Sequence, residues 1–360
     1  MIVHPQFRFN GRAYDGPALL NKAHKLVATK VPYEKAIGNF LVQWLNDDAT
    51  LTTTTSGSTG TPKAIVIPKE KMVNSALATA AHFKLKAGQR ALLCLPADYI
   101  AGKMMLVRAM VLGLELDAVA PNSQPLEQTV GHYHFAAMVP LQLMHSLNRL
   151  EKVGTLIVGG APLPQDVKWP LAETPTKIYE TYGMTETVTH VAVRQVFPVT
   201  SPGHPLEERP FLALPGVRFE QDGRACLVVQ APGLSAEKVV TNDVVNLLSD
   251  RSFFWLGRYD NVVNSGGVKL FPEQIEKVLQ GHVAQPFFLV GVPDGTLGEK
   301  LVLFVKGEGD APRLRSALET KTTLEKYQIP REVVFLNTFE ETPNGKVDRK
   351  KTLASYLAGR

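Results

Sequence analysis

Residues 51–63 hold the first group of side chains with evident chemistry. Ten of these thirteen are Ser, Thr or Gly, and Lys63 closes the run. Small residues let backbone N–H groups approach a phosphate closely, hydroxyls add donors, and the lysine adds charge. The same composition suits a flexible linker. Against a linker, strand-like segments flank the run, as in Ala64-Ile65-Val66-Ile67. The loop is not of the Walker type, because Pro62 precedes Lys63 and Ala64 follows it. Phosphate binding by a different kind of loop is the expectation.

Three isolated charges carry the next signals. Glu186 is a lone carboxylate in an uncharged stretch. Mg²⁺ takes oxygen ligands, commonly one or two carboxylates completed by phosphates, but a lone Glu also reads as a surface residue. Lys346 follows Asn344-Gly345, a turn signal, and by itself reads as a solvated turn lysine. Arg108 sits in Gly102-Lys103-Met104-Met105-Leu106-Val107-Arg108-Ala109-Met110-Val111-Leu112, apolar on nearly every face. A helix of that pattern is buried, so its guanidinium must snorkel, pair with a carboxylate or face a polar cavity.

Four segments, colinear over residues 55–349, together resemble the adenylate-forming superfamily of acyl-CoA synthetases, peptide-synthetase adenylation domains and beetle luciferases. They are Thr55-Ser56-Gly57-Ser58-Thr59-Gly60-Thr61-Pro62-Lys63, Tyr182-Gly183-Met184-Thr185-Glu186-Thr187, Gly257-Arg258-Tyr259-Asp260-Asn261 through Ser265-Gly266-Gly267-Val268-Lys269, and Pro343-Asn344-Gly345-Lys346-Val347-Asp348-Arg349. The resemblance implies an α/β plus α+β fold. A large N-terminal domain over 1–256 has sheet and helix layers with a small β-barrel-like part. A small mobile α+β domain over 257–360 carries the hinge and the catalytic lysine. Only about 50 residues precede the phosphate loop, so the family's first subdomain is expected to be shortened.

The resemblance also implies roles. Thr55, Ser56, Gly57, Ser58, Thr59, Gly60 and Lys63 hold the ATP phosphates. Tyr182 and Gly183 line the adenine, for which the tyrosine ring offers a flat face, and the glycine turn Gly159-Gly160-Ala161 edges its other side. Asp243 takes the ribose hydroxyls and Arg258 the ribose and phosphate. Here Asn242 stands where the family has glycine, and the usual aromatic before Thr241 is missing. Thr185, Glu186 and Lys346 are the catalytic residues, with Glu186 the Mg²⁺ ligand. Asp260 is the hinge, and Ser265, Gly266 and Gly267 form the CoA-side loop.

The implied reaction is ATP-dependent conversion of a carboxylic acid to acyl-AMP, then transfer to CoA. Tyr99, Arg108 and Thr189-His190 with the short N-terminus look most like o-succinylbenzoate–CoA ligases of menaquinone biosynthesis. Arg108 is then the first candidate for the ring carboxylate, with Lys103 or His190 as alternatives. Another aryl- or short-chain acyl-CoA ligase, an enzyme loading a carrier protein, and a catalytically silent nucleotide-binding relative stay open.

The elements that must position these groups are legible in outline. Helical spacing covers 16–46, 69–84 and 101–112, with strands at 64–67, 90–95 and 155–158. From 205 to 256 short strands and turns predict an antiparallel sheet or barrel. Beyond 258 the pattern is strand, helix 272–280, strands 286–292 and 300–306, helix 311–325 and strand 332–337.

Composition bounds the rest. At 360 residues the chain suits two domains of roughly 150 each. With 44% hydrophobic and 20% charged residues, general disorder is excluded. A net charge of +5 without a like-charge run makes nucleic acid an unexpected partner. Cys94 and Cys226 lie in apolar runs and read as buried hydrophobes in a reducing compartment. The start lacks the apolar core of a signal peptide, and the longest apolar stretch, 104–114, is too short for a bilayer. A cytoplasmic enzyme acting on a small carboxylic acid, ATP and CoA is expected, with a homodimer left open.

Overall fold

The computed structural model describes residues 3–54, 64–163, 171, 174–196, 208–342 and 347–359. Two large sheets and a two-stranded one organise them. The larger has thirteen strands. Its centre is parallel, with Glu115–Ala118, Arg90–Leu93, Tyr133–Met138, Val153–Val158 and Lys177–Gly183 as successive neighbours. Their side chains fill cores on both faces, as a parallel sheet requires.

Helices α1 (Gly16–Val27), α2 (Pro32–Leu45), α3 (Lys69–Phe83) and α4 (Ile100–Leu112) contribute to one of these cores. The expected continuous helix over 16–46 is two helices. Pro32 opens α2 at its first turn, where a missing N–H and a fixed φ suit a new start. The pair closes tightly at Gly38, where a Cβ would meet the Val27 backbone nitrogen at 2.6 Å. α4 crosses over between two parallel strands and is buried around its circumference from Gly102 to Met110. Gly102 lets its start lie against Pro96, whose carbonyl oxygen would be 2.2 Å from a Cβ. After α4 come α5 (Pro140–Met144) and a return to the sheet.

The antiparallel strands predicted for 205–256 are present, but they do not form a separate barrel among the described residues. His190–Val196 pairs with Lys177–Gly183, Phe211–Ala213 with His190–Val196, and Ser252–Arg258 with Phe211–Ala213. Val239–Ser249, Cys226–Gln230 and Arg218–Gln221 follow outward. Backbone hydrogen bonds therefore carry one sheet from the parallel centre to this edge.

Beyond the 3-10 turn Tyr259–Asn261 lies a five-stranded sheet of Val263–Ser265, Val268–Leu270, Phe287–Asp294, Gly298–Lys306 and Glu332–Leu336, the last parallel to its neighbour. It is dressed by α6 (Pro272–Leu279), α7 (Ala311–Lys321) and α8 (Arg349–Ala358). α7 ends at Lys321, short of the predicted 325, and α8 had no counterpart in the sequence reading. Both cysteines are buried and free, and burial pushes the Cys94 thiol up to about 12. Among the described residues no helix is long and apolar enough to cross a membrane.

Candidate active site

One cluster of candidate residues forms where two antiparallel strands come within reach of Tyr182, on the last parallel strand. Asp243 and Arg258 are cross-strand partners on Val239–Ser249 and Ser252–Arg258. Asp243 is 7% exposed and its carboxylate is heavily used. The Tyr182 hydroxyl donates to Oδ2 at 2.7 Å, while Trp255 Nε1 and Arg258 Nη1 donate to Oδ1 at 3.2 and 3.4 Å. A carboxylate offers about four lone-pair positions. One acceptor position on Oδ2 is therefore left for an incoming hydroxyl. Burial, then the Asp243 charge, raises the Tyr182 pKa well above its usual value, so the phenol remains a donor. Its ring meets Phe253 edge-on at 5.2 Å and Phe211 at 5.8 Å. Trp255 was not found by sequence reasoning. It occupies the role of a neighbouring aromatic from the adjacent strand, and the only local signal was an indole N–H that needs a partner when buried.

Gly183 and Gly159 are demanded by close approach. A Cβ on Gly183 would meet the His190 Cα and the Thr189 carbonyl at 2.4 Å, and one on Gly159 would meet Thr181 Oγ1 at 2.3 Å. Gly160, with φ of +89°, and Ala161 continue this turn at the surface.

Between this cluster and the interior the chain turns sharply. Thr185–Thr187 is a single 3-10 turn with Glu186 exposed and Thr187 fully buried. Glu186 has no hydrogen-bond or ion-pair partner among the described residues. Val188 then has φ +66° and ψ −56°, and Thr189 N donates to Thr187 O at 2.7 Å. This is a γ-turn of the strained hand, unusual for a β-branched residue. It carries the chain from exposed Glu186 to buried His190 within four residues.

Arg108 and His190 meet inside the protein. Arg108 is 1% exposed and has no carboxylate partner among the described residues. Nε donates to Thr79 Oγ1 at 3.3 Å, Nη2 lies 3.4 Å from His190 Nδ1, and Nη1 is 3.6 Å from Met105 Sδ. Burial pushes the guanidinium down to about 10, which still leaves it charged at neutral pH. Thr189 Oγ1 joins at 3.5 Å from His190 Nδ1. His190 is held neutral: burial, then the charges of Arg108 and His82, push its pKa well below the usual value.

That shift has a measurable sign. The folded pKa lies below the unfolded value of about 6.5, so stability is fully present above that pH and is lost as pH falls toward the folded pKa. One such group contributes a slope of up to about 1.4 kcal/mol per pH unit. His190→Asn is expected to flatten the acid limb of the unfolding free energy measured by urea titration below about pH 6.5. An unchanged slope assigns the acid sensitivity to other groups.

The other acid-side candidates lie elsewhere. Lys103 is buried, but its Nζ donates to Thr53 Oγ1 at 3.1 Å and to the Asp98 carbonyl at 2.8 Å. Thr53 belongs to Thr50–Thr54, which pairs antiparallel with Ala64–Pro68. Lys103 thus sits against the strand pair that flanks 55–63 in the chain. Tyr99 precedes α4 and is exposed. Nine helical residues separate it from Arg108, roughly 13 Å along the axis. Residues Thr55 to Gly60 and Lys63, and also Lys346, lie outside the described residues. Glu341 and Val347 bridge across the Lys346 segment.

At the junction of the two sheets, Tyr259–Asn261 is a 3-10 turn centred on Asp260, whose carboxylate is 3.9 Å from Arg258 Nη2. Gln274 of α6 donates to the Trp255 and Leu256 carbonyls at 2.9 and 2.8 Å. Lys277 pairs with Glu208 at 2.9 Å, and Glu208 also meets Arg194. Gly266 and Gly267, with φ of +57° and +85°, form the two-residue turn between Ser265 and Val268.

Residues 19–214 match the family described as AMP-binding enzyme. A probable 2-succinylbenzoate–CoA ligase of Mycobacterium tuberculosis is 28% identical over 353 residues, covering 90% of this chain and 89% of its own. A solved acyl-CoA synthetase (AMP-forming)/AMP-acid ligase II-like protein from Dyadobacter fermentans is 32% identical, with a TM-score of 0.61, over 92% of this chain and 97% of its own. The o-succinylbenzoate coenzyme A synthetase of Bacillus subtilis, solved with ATP and magnesium ion, shares the fold at 20% identity and a TM-score of 0.69, over 84% of this chain and 69% of its own.

Proposed function

Because the chain belongs to the AMP-binding enzyme family, we propose that it is an AMP-forming acid–CoA ligase whose acid is o-succinylbenzoate. The observation that carries the choice of acid is Arg108, a fully buried cation with no carboxylate partner among the described residues. A charge in such a place is costly unless something pairs with it. An acid with two carboxylates supplies the pair: one is activated, and the other meets the guanidinium. The 2-succinylbenzoate–CoA ligase named among the relatives acts on an acid of this description.

In the first half-reaction the succinyl carboxylate attacks the α-phosphorus of ATP and pyrophosphate leaves. In the second, the CoA thiol attacks the acyl-AMP carbonyl and AMP leaves. The protein's part is positioning and electrostatics. Asp243 and Arg258 hold the ribose, and Tyr182 and Trp255 fix the Asp243 carboxylate from the other side. Lys346 meets the charge that develops between the acid and the α-phosphate. Glu186, exposed and unpartnered among the described residues, suits Mg²⁺, which would neutralise phosphate charge there. The substrates suit a cytoplasmic enzyme.

Pyrophosphate release measured across a panel of acids, with and without CoA, tests the reading. Release is expected with o-succinylbenzoate, with CoA converting the adenylate to the thioester. Equal rates with plain benzoate would sink the choice of acid. A requirement for a carrier protein would sink the choice of acceptor.

A further inference from the structure

We propose that Thr79, on α3, is the positioning residue of the acid subsite. It aims the Arg108 guanidinium at the substrate's second carboxylate by fixing which of its N–H groups are used inside the protein. The proposal rests on the reading of Arg108 as the carboxylate partner.

Thr79 is fully buried, and its hydroxyl is the hub of the cluster. It donates to the Ser75 carbonyl at 2.9 Å, one turn back. A hydroxyl has one donor and two acceptor positions. With the donor committed to Ser75, the lone pairs can only receive donors. Arg108 Nε is one, at 3.3 Å, and His190 Nε2 is the other, at 3.5 Å. His190, held neutral, therefore carries its proton on Nε2, and its Nδ1 is left to accept from Arg108 Nη2 at 3.4 Å.

The consequence appears in the donor count of the guanidinium. It has five N–H groups in a rigid plane. Nε–H goes to Thr79, one Nη2–H to His190, and one Nη1–H to the weak acceptor Met105 Sδ. One N–H on each terminal nitrogen then has no acceptor among the described residues. Such a pair can take a carboxylate through two parallel bonds. A second observation points to the same seam. Ser75, four residues earlier and hence on the same face of α3, has a buried Oγ with no partner among the described residues. A polar ligand between α3 and α4 would satisfy it as well.

The competing account is that Thr79 is simply a threonine satisfied by its own backbone bond. Steady-state kinetics of Thr79→Val and Thr79→Ser separate the two, using o-succinylbenzoate and 3-benzoylpropionate, which lacks the ring carboxylate. Valine keeps the shape and removes the hub. It is expected to raise KM for o-succinylbenzoate about tenfold or more, the scale of a hydrogen bond to a charged group. Its kcat should stay within about threefold of wild type, and its KM for 3-benzoylpropionate should hardly move. Serine should restore the wild-type KM. If valine fails to fold, Thr79→Cys, whose thiol is a poor acceptor, carries the same expectation. Equal losses on both acids, or no loss on either, overturn the proposal while the Arg108 reading stands. A wild-type enzyme indifferent between the two acids overturns the Arg108 reading, and the role of Thr79 with it.

Discussion

Arg108→Leu is expected to raise KM for o-succinylbenzoate by about 2–4 kcal/mol equivalent, roughly 30- to 1000-fold, while the free protein becomes harder to melt. The two effects have opposite signs for one reason. In the free protein the guanidinium is fully buried, and among the described residues only Thr79, His190 and Met105 receive its N–H groups. Desolvation without a counter-charge destabilises the fold, and leucine removes that penalty. In the complex the same guanidinium meets a carboxylate that must also leave water, and leucine leaves that carboxylate unpaired. A purely structural arginine behaves differently: its loss lowers the melting temperature and weakens both dicarboxylic and monocarboxylic acids alike. Activity on 3-benzoylpropionate should therefore fall much less than activity on o-succinylbenzoate. Thermal melts and kinetics on the two acids, from one preparation, decide between the accounts.

Much of this subsite could be read from α4 alone. An apolar pattern with no polar face forces burial, and one arginine in it forces a question about its partner. The answer could not be read there, because it depends on α3 and on a strand more than eighty residues away. Thr79 gives no periodic signal: it is a lone threonine among alanines. Lys103 illustrates the opposite failure. It stands as an alternative to Arg108 for the ring carboxylate, but five helical residues turn it about 140° away, toward Thr53.

The same division runs through the fold. The Gly266-Gly267 turn was legible because positive φ at two adjacent positions has a residue signature. The hairpin flanking 55–63 was legible from its β-branched residues. Continuity of the large sheet from parallel to antiparallel was not, because it is decided by which edge Phe211–Ala213 pairs with. Nor was the partnership of Asp243 with Tyr182 and Trp255, which depends on register between strands. α8 was missed for a plainer reason: of its ten residues only Thr352 is buried, so it carries little apolar periodicity.

The largest separation between the two half-reactions is expected from Asp260→Pro. Asp260 sits in the 3-10 turn that ends Ser252–Arg258, the strand that also supplies Trp255 and Arg258 to Asp243. The small sheet is held to this strand by Gln274 on the Trp255 and Leu256 carbonyls, and to the large sheet by Lys277 through Glu208 to Arg194. These contacts are polar, and the expected rotation at the turn would exchange them. Proline fixes φ near −65°, a value compatible with a 3-10 turn, and so denies the backbone its other setting. Adenylate formation, followed by ATP–pyrophosphate exchange, should persist. Transfer to CoA, followed from supplied acyl-AMP, should fall in proportion to the lost population of the second orientation, roughly hundredfold if that population drops below about 1%. Asp260→Ala removes the 3.9 Å contact with Arg258 but leaves φ free, so it should retain both activities. If the proline variant transfers to CoA as fast as wild type, the small domain does not turn at Asp260. If it loses both halves equally, the turn is a structural support for the nucleotide end, acting through Arg258 on Asp243.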